Sequence, residues 1–210
     1  MKQKIFITAG PTWIKIDDVR VITTIFSGNT GIFLAKNFRD KKYDVTLLVN
    51  SPHLNKKELT GIRVIPFRYF EDFKQRIKKE LKINQYNAVI HSAAVADYKL
   101  GKIFNGKVPS GKKSLTLKLI PAEKIIKTIR SFQKQAVLVQ FKLEIKRKGL
   151  LKEAFKSLKV NKSNFVVANA LEDLKLGYKS FLMDTDKNII TINSKKSLFD
   201  NLEKVVRSGG

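Results

Sequence analysis

Residues 4–31, KIFITAGPTWIKIDDVRVITTIFSGNTG, carry the pattern from which the fold follows. Lys4 to Ala9 is a short run of β-branched and aromatic residues that stops at Gly10-Pro11. A run that is apolar at nearly every position suits a strand covered on both faces rather than one with a wet side. Gly28-Asn29-Thr30-Gly31 then opens a stretch with helical spacing over 28–41. Strand, glycine-bearing turn and helix, in that order, begin a βαβ unit.

Working outward, the alternation continues. Strands are expected at 43–50, 62–68, 87–93, 114–120, 135–143 and 164–171, and helices at 70–83, 122–132, 150–160 and 195–207. On the 70–83 helix, Phe70, Phe73, Ile77 and Leu81 fall on one face. Residues 181–193 read as a hairpin turning at Asp184–Asn188, and 99–113 as a loop rich in Gly and Lys. The predicted class is α/β, a Rossmann-like doubly wound and mainly parallel sheet with helices on both faces. An arm around 99–120 and a C-terminal β-hairpin extend it. No repeat or linker interrupts the chain, so a single domain over 1–210 is expected.

Composition narrows the function. Of 210 residues none is Cys, which excludes a disulfide framework, a thiolate metal site and a cysteine nucleophile. Two histidines, His53 and His91, leave little for a histidine-based metal site, and none is expected. No apolar run approaches the roughly 18–20 residues of a membrane span. The N-terminal apolar stretch is too short for a signal peptide, so a cytoplasmic protein is expected. Lys plus Arg is 42 against 18 Asp plus Glu, a net +24, and residues 101–164 hold 17 of the cations against 3 anions. Such a surface attracts polyanions without choosing among them. A lysine-rich surface with no ligand is the bland account of the same excess. A nucleic-acid binder would want aromatic platforms or a recognition helix among the basic residues. Here only Phe104, Phe132, Phe141 and Phe155 are interleaved, two of them reading as core. Nucleic acid and membrane are therefore not the expected partners.

In an open α/β sheet the ligand sits at the carboxyl ends of the strands. Thr8-Ala9-Gly10-Pro11-Thr12 lies there, but only Gly10 of a G-x-G-x-x-G is present and Pro11 removes a donor. A nicotinamide fingerprint is absent. Ser27 precedes Gly28 as a candidate helix cap, and backbone N–H groups at such a start can cradle phosphate. Arg20, in Ile16-Asp17-Asp18-Val19-Arg20, can grip an anion bidentately or simply pair with Asp17 or Asp18. The small residues after His91, Ser92-Ala93-Ala94, permit close approach of a flat ligand, and Asp97 can accept from an amino group on a base. His91 itself reads as a satisfied interior residue. Lys107, in Gly106-Lys107-Val108-Pro109-Ser110-Gly111-Lys112-Lys113, can neutralise triphosphate charge.

The ordered set ITAGPT, IDDVR, SGNTG, AAVADY, GKVPSGKKSLTLKL, FKLE and VVAN, over residues 4 to about 171, resembles phosphopantothenate–cysteine ligase in its free-standing form. The resemblance implies that 4′-phosphopantothenate is activated by a nucleoside triphosphate with Mg²⁺, CTP rather than ATP. Pyrophosphate leaves, and cysteine then displaces the nucleotide from the acyl nucleotidylate. It implies a homodimer and no flavin. It places Arg20 on the acyl substrate, Asp97 and Ala93 at the base, Lys107 at the triphosphate and Phe141 beside the nucleotide. Gly10, Ser27 and Gly28 fall to the nucleotide, Glu144 ends the GFxxE strand, Asn169 is the asparagine of VAN, and Ile120–Glu123 form a contacting turn. The sequence departs from the pattern at Thr24, where the family has an asparagine tied to the cysteine step. Phe26 replaces a serine, Ser157 a lysine and Asn164 an aspartate. Lys156, Lys159 or Lys162 are the available stand-ins for that lysine. A paralogue that binds nucleotide and acyl phosphate without completing ligation is the alternative.

Overall fold

The computed structural model of the chain describes residues 2–52, 54–111 and 113–209; His53 and Lys112 of the sequence reading lie outside the described residues. In chain order the elements are β1 (Lys4–Ala9), β2 (Ile14–Lys15), β3 (Val21–Ile22), α1 (Asn29–Asp40), β4 (Asp44–Val49), β5 (Arg63–Pro66), α2 (Phe70–Ile83) and β6 (Ala88–His91). They continue with β7 (Tyr98–Leu100), β8 (Leu119–Pro121), α3 (Ile125–Phe132), β9 (Val137–Glu144), α4 (Leu150–Asn161) and β10 (Phe165–Ala170). The chain then forms α5 (Leu171–Leu176), β11 (Ser180–Asp184), β12 (Ile189–Ile192) and α6 (Lys195–Ser208).

One eight-stranded sheet runs β12-β11-β10-β9-β6-β1-β4-β5. From β5 to β10 every pairing is parallel, and the order is that of a doubly wound nucleotide-binding sheet with its switch point between β1 and β6. β11 and β12 add antiparallel, as the expected hairpin extension. Its turn is written in the side chains. Asp184 Oδ1 accepts from the amides of Asp186 and Asn188, its Oδ2 accepts from Asn188 Nδ2, and Lys187 takes φ 68°.

β1 and β4 are buried at every position after the first, which is why they read as unbroken apolar runs. Ile5, Ile7 and Ala9 of β1 pack on one face with Leu34 and Phe38 of α1 and Leu198, Phe199 and Leu202 of α6. Phe6 packs on the other with Phe70, Phe73, Ile77 and Leu81 of α2 and Ile125, Ile126 and Ile129 of α3. Burying each such side chain is worth about 1.5–3 kcal/mol, so the two faces together anchor the sheet. α4 covers β10, where Leu150, Ala154 and Leu158 pack with Val166, Ala168 and Ala170.

The arm differs from expectation. A strand over 114–120 does not form; only Leu119–Pro121 pairs, antiparallel, with Tyr98–Leu100. Residues 114–118 alternate in sequence but have no sheet to bury one side against, so the alternation finds no ladder. The helix expected over 122–132 begins at Ile125, after Pro121.

Candidate functional site

Past its last residues the sheet does not open at once. The amide of Ala94 donates to Gly10 O (3.0 Å), that of Thr12 to Ala94 O (3.2 Å) and that of Ala96 to Thr12 Oγ1 (2.9 Å). ITAGPT and AAVADY, some 80 residues apart in the chain, are thereby laid side by side at the carboxyl ends of β1 and β6.

Gly10 sits here at φ 88°, and a methyl on it would lie 1.7 Å from Asn50 O. Gly28 is at φ 80°, and a methyl there would meet Gly10 N at 2.8 Å. The first turn of α1 is thus pressed onto the β1 turn, and Gly31 completes the contact: its methyl would fall 2.5 Å from Ala9 Cβ. Gly28, and not Ser27, is the cap residue of α1, and no side chain caps the helix. The first amides of α1 consequently keep their hydrogen-bonding capacity for a ligand.

These turns wall a cavity of about 230 Å³. Of the sequence-predicted residues, Gly10, Ser27, Gly28, Ala93, Phe141 and Asn169 line it. Phe26, Ser92, Leu143 and Tyr178 line it too; of these the sequence marked Phe26, as a departure, and Ser92, as one of the small residues after His91. Tyr178 follows α5 in a turn with no local pattern to mark it; burial raises its pKa above the usual phenol value. No carboxylate contributes to the lining, and among the described residues no group of three His, Cys, Asp or Glu could hold a metal ion.

Arg20, Thr24, Asp97 and Lys107 stand outside this cavity wall. Asp97 is exposed at the base of the arm, where Lys124 Nζ lies 2.5 Å from its Oδ1. Thr24 is exposed between β3 and α1. Arg20 pairs with Asp17, through Nε (2.9 Å) and Nη2 (2.6 Å) to Oδ2, so the simpler of its two sequence readings describes its geometry. The same Nη2 donates to Val108 O (2.7 Å), beside Lys107. Burial alone would push Asp17 up. The Val108 amide, the Arg20 guanidinium and the amides of Val19 and Arg20 more than offset this and hold it well below the usual carboxylate range.

His91 is interior, as read: Nδ1 lies 2.8 Å from Thr8 Oγ1, the ring stacks on Phe73, and desolvation pushes its pKa down to about 4. At Ser157, Gln140 Nε2 and Asn161 Nδ2 each donate to Oγ (3.2 Å), while Gln140 Oε1 accepts from Asn161 and Ser163. That position is committed to a polar network between β9 and α4. None of the three stand-in lysines lines the cavity, and Lys159 lies over the Phe155 ring at 5.3 Å. Asn164 ties Arg130 to the edge of β9, accepting from Arg130 Nη2 (2.7 Å) and the Leu138 amide (2.9 Å).

Residues 1–208 match the family described as DNA/pantothenate metabolism flavoprotein C-terminal domain. The chain is 31% identical over 172 residues to the coenzyme A biosynthesis bifunctional protein CoaBC of Thermococcus kodakarensis, covering 81% of this chain and 42% of that protein. It therefore spans less than half the length of that relative. By structure it is similar to the DNA/pantothenate metabolism flavoprotein from Streptococcus pneumoniae, with a TM-score of 0.85 and 22% identity over 99% of this chain and all of that one. It is also similar to a Cab2 H337A mutant in complex with phosphopantothenate-cysteine, with a TM-score of 0.80 and 17% identity over 99% of this chain and 87% of that one.

Proposed function

Because the chain belongs to the family of DNA/pantothenate metabolism flavoprotein C-terminal domains, we propose that it is a phosphopantothenate–cysteine ligase of coenzyme A biosynthesis. The observation that carries this reading is the cavity itself. It joins Gly10, Gly28, Ala93, Phe141 and Asn169, from five of the motifs that carry the resemblance to the ligase, at one switch point.

In this reading a carboxylate oxygen of 4′-phosphopantothenate attacks the α-phosphorus of the nucleotide and the bond to pyrophosphate breaks. The cysteine amine then attacks the acyl carbon, and nucleoside monophosphate leaves with the bonding pair. The free amides of α1 suit a phosphate, the apolar wall of Phe141 and Leu143 suits a ring, and Arg20 and Lys107 supply charge outside the wall. Thr24 takes the asparagine's place in the cysteine step. Mg²⁺ would ride on the triphosphate oxygens, since the cavity offers it no carboxylate. The condensation is redox-neutral and calls for no flavin. CTP is the preferred nucleotide, a choice assigned to Asp97. The exposed Tyr98, Ile103, Leu119 and Ile120 of the arm support a homodimer. The phosphorylated substrates support a cytoplasmic setting.

The test is single-turnover chemistry with 4′-phosphopantothenate, Mg²⁺ and either CTP or ATP, with and without cysteine. Cysteine-dependent formation of phosphopantothenoylcysteine is expected. Pyrophosphate with an accumulating acyl nucleotidylate would instead identify the impaired paralogue, and no pyrophosphate with either nucleotide would refute the enzyme.

A further inference from the structure

We propose that Asp17 is a positioning residue: its carboxylate ties the Val108 amide, directly after Lys107, to the Arg20 segment, so that the two cations are presented to the substrates as one unit. The proposal rests on the ligase reading for its chemical consequence, but not for its geometry.

Asp17 is 1% exposed in the loop joining β2 to β3. Its two oxygens collect five hydrogen bonds. Oδ1 accepts from the amides of Val19 and Arg20, both at 2.9 Å. Oδ2 accepts from Arg20 Nε and Nη2 and, across 91 residues of sequence, from the Val108 amide at 3.0 Å. Three further bonds complete the seam. The Asp18 amide donates to Gly106 O (3.1 Å), the Phe104 amide to Ile16 O (3.0 Å), and Arg20 Nη2 to Val108 O. Gly106 and Val108 are therefore both pinned, and Lys107 between them is exposed. The arm has little else to fix it here. Gly106 at φ 67° and Gly111 at φ 92° have open space around them, and only the Val108 side chain, 6% exposed, is buried nearby.

The carboxylate is the part that cannot be replaced by shape. It meets four N–H groups of the chain around Arg20 and one from the arm, and an acceptor with two anionic oxygens serves all five. In Asp17→Asn one oxygen becomes a donor: in place of Oδ2 it faces both the guanidinium and the Val108 amide, in place of Oδ1 the amides of Val19 and Arg20, and the groups it faces lose their partner. The fault passes to Lys107 through the Val108 backbone and to Arg20 through its lost ion pair, with neither cation itself replaced. Displacing a charged group by about 1 Å in a phosphoryl-type transfer is enough to cost about 100-fold.

The experiment compares the full chain with its Asp17→Asn variant in two independent ways. Without any substrate, hydrogen exchange of the Val108 amide and tryptic cleavage after Lys107 are expected to rise at least about 10-fold in the variant. With 4′-phosphopantothenate, CTP and Mg²⁺, the single-turnover rate of pyrophosphate release is expected to fall about 30-fold or more, with the cysteine dependence of the second step unchanged. In a Lys107→Ala background the same Asp17→Asn change should cost several-fold less than in the unaltered chain, because the part that acts through that lysine is gone and only the part through Arg20 remains. A merely structural Asp17 would lower both backgrounds equally, which overturns the proposal, as does unchanged Val108 exchange. Released exchange with an unaltered pyrophosphate rate also overturns it. If Asp17→Asn fails to fold, Val108→Pro removes the arm's donor while sparing the Asp17–Arg20 pair, and the same readouts decide. If the unaltered chain releases no pyrophosphate, the ligase reading fails and the claim about catalysis falls with it, while exchange and cleavage still decide whether Asp17 holds the loop.

Discussion

The glycine turns at the strand ends and the arm that carries Lys107 are built in opposite ways. At the turns, backbone meets backbone: Gly10 leaves no room for a methyl beside Asn50 O, and Gly31 none beside Ala9. That geometry is held by two parallel strands and a buried helix, so it is as rigid as the core. The arm has one short antiparallel pair and a handful of polar bonds to the 16–20 segment. Few bonds hold it, and the Asp17 carboxylate joins its Val108 amide to that segment. The lesson is that one molecule sets its cavity wall in the core and carries an exposed lysine on a lightly held arm.

The sharpest way to break that comparison uses two glycines of nearly equal positive φ, 88° at Gly10 and 92° at Gly111. Gly10→Ala adds a left-handed strain and a methyl 1.7 Å from a carbonyl oxygen. It should destabilise the chain by about 4 kcal/mol or abolish folding, read by urea unfolding. Gly111→Ala, at φ 92° in open space, should cost only about 1 kcal/mol. Equal effects would mean that the turns are no stiffer than the arm. Next in size is Lys107→Ala. It should slow pyrophosphate release about 100-fold, or roughly 2.7 kcal/mol of barrier, with no change in melting temperature. A fall in melting temperature would place Lys107 in the structure rather than in the chemistry.

How much of this was written in the sequence follows the same division. The unbroken apolar run of β1, the one-sided face of α2 and the Asp184 turn each encode their structure locally, and each forms where expected. The cavity's glycines were legible for the same reason, because only glycine serves at such turns. Residues 114–120 were not, since alternation predicts a strand only where a partner exists. Ser27 reads as a cap, yet Gly28 takes the position, because close approach to Gly10 outweighs a side-chain bond. Tyr178 and Leu143 reach the cavity through tertiary placement alone. Asp17 did leave a trace: an acidic residue bonding the amides two and three positions on is a local turn device. Its bond to Val108 spans too much sequence to be read.

A smaller effect tests the rigid side of the comparison. Burial keeps His91 neutral and moves its pKa from 6.5 to about 4. Between those values the unfolded chain binds a proton that the folded chain refuses. The stability from this group is complete above pH 6.5 and is lost as pH falls toward 4. The full displacement corresponds to roughly 3 kcal/mol, and since part of the residue keeps solvent contact the expected loss is roughly 2 kcal/mol. Urea titrations at pH 7 and pH 4.5 should show His91→Gln less sensitive to acid by most of that amount, the carboxylates contributing equally to both proteins. An identical pH dependence would mean that the ring is free to charge where it sits.

The smallest effect probes the residue that neither region contains. Thr24 is exposed between the clamp at 16–20 and the start of α1, and it holds the place of an asparagine in the ligases this chain resembles. A hydroxyl donates and accepts through one oxygen, whereas an amide sets a donor and an acceptor on separate atoms at fixed separation and so can hold an acyl carbonyl and an incoming amine together. Thr24→Asn should therefore raise the cysteine-dependent rate about tenfold, some 1.4 kcal/mol, and leave pyrophosphate release alone. Quench-flow measurement of both half-reactions separates the outcomes. If the first step changes instead, position 24 serves nucleotide activation and belongs with the arm. If neither changes, the threonine already does all that this position requires, and the departure is one of sequence without a consequence for the reaction.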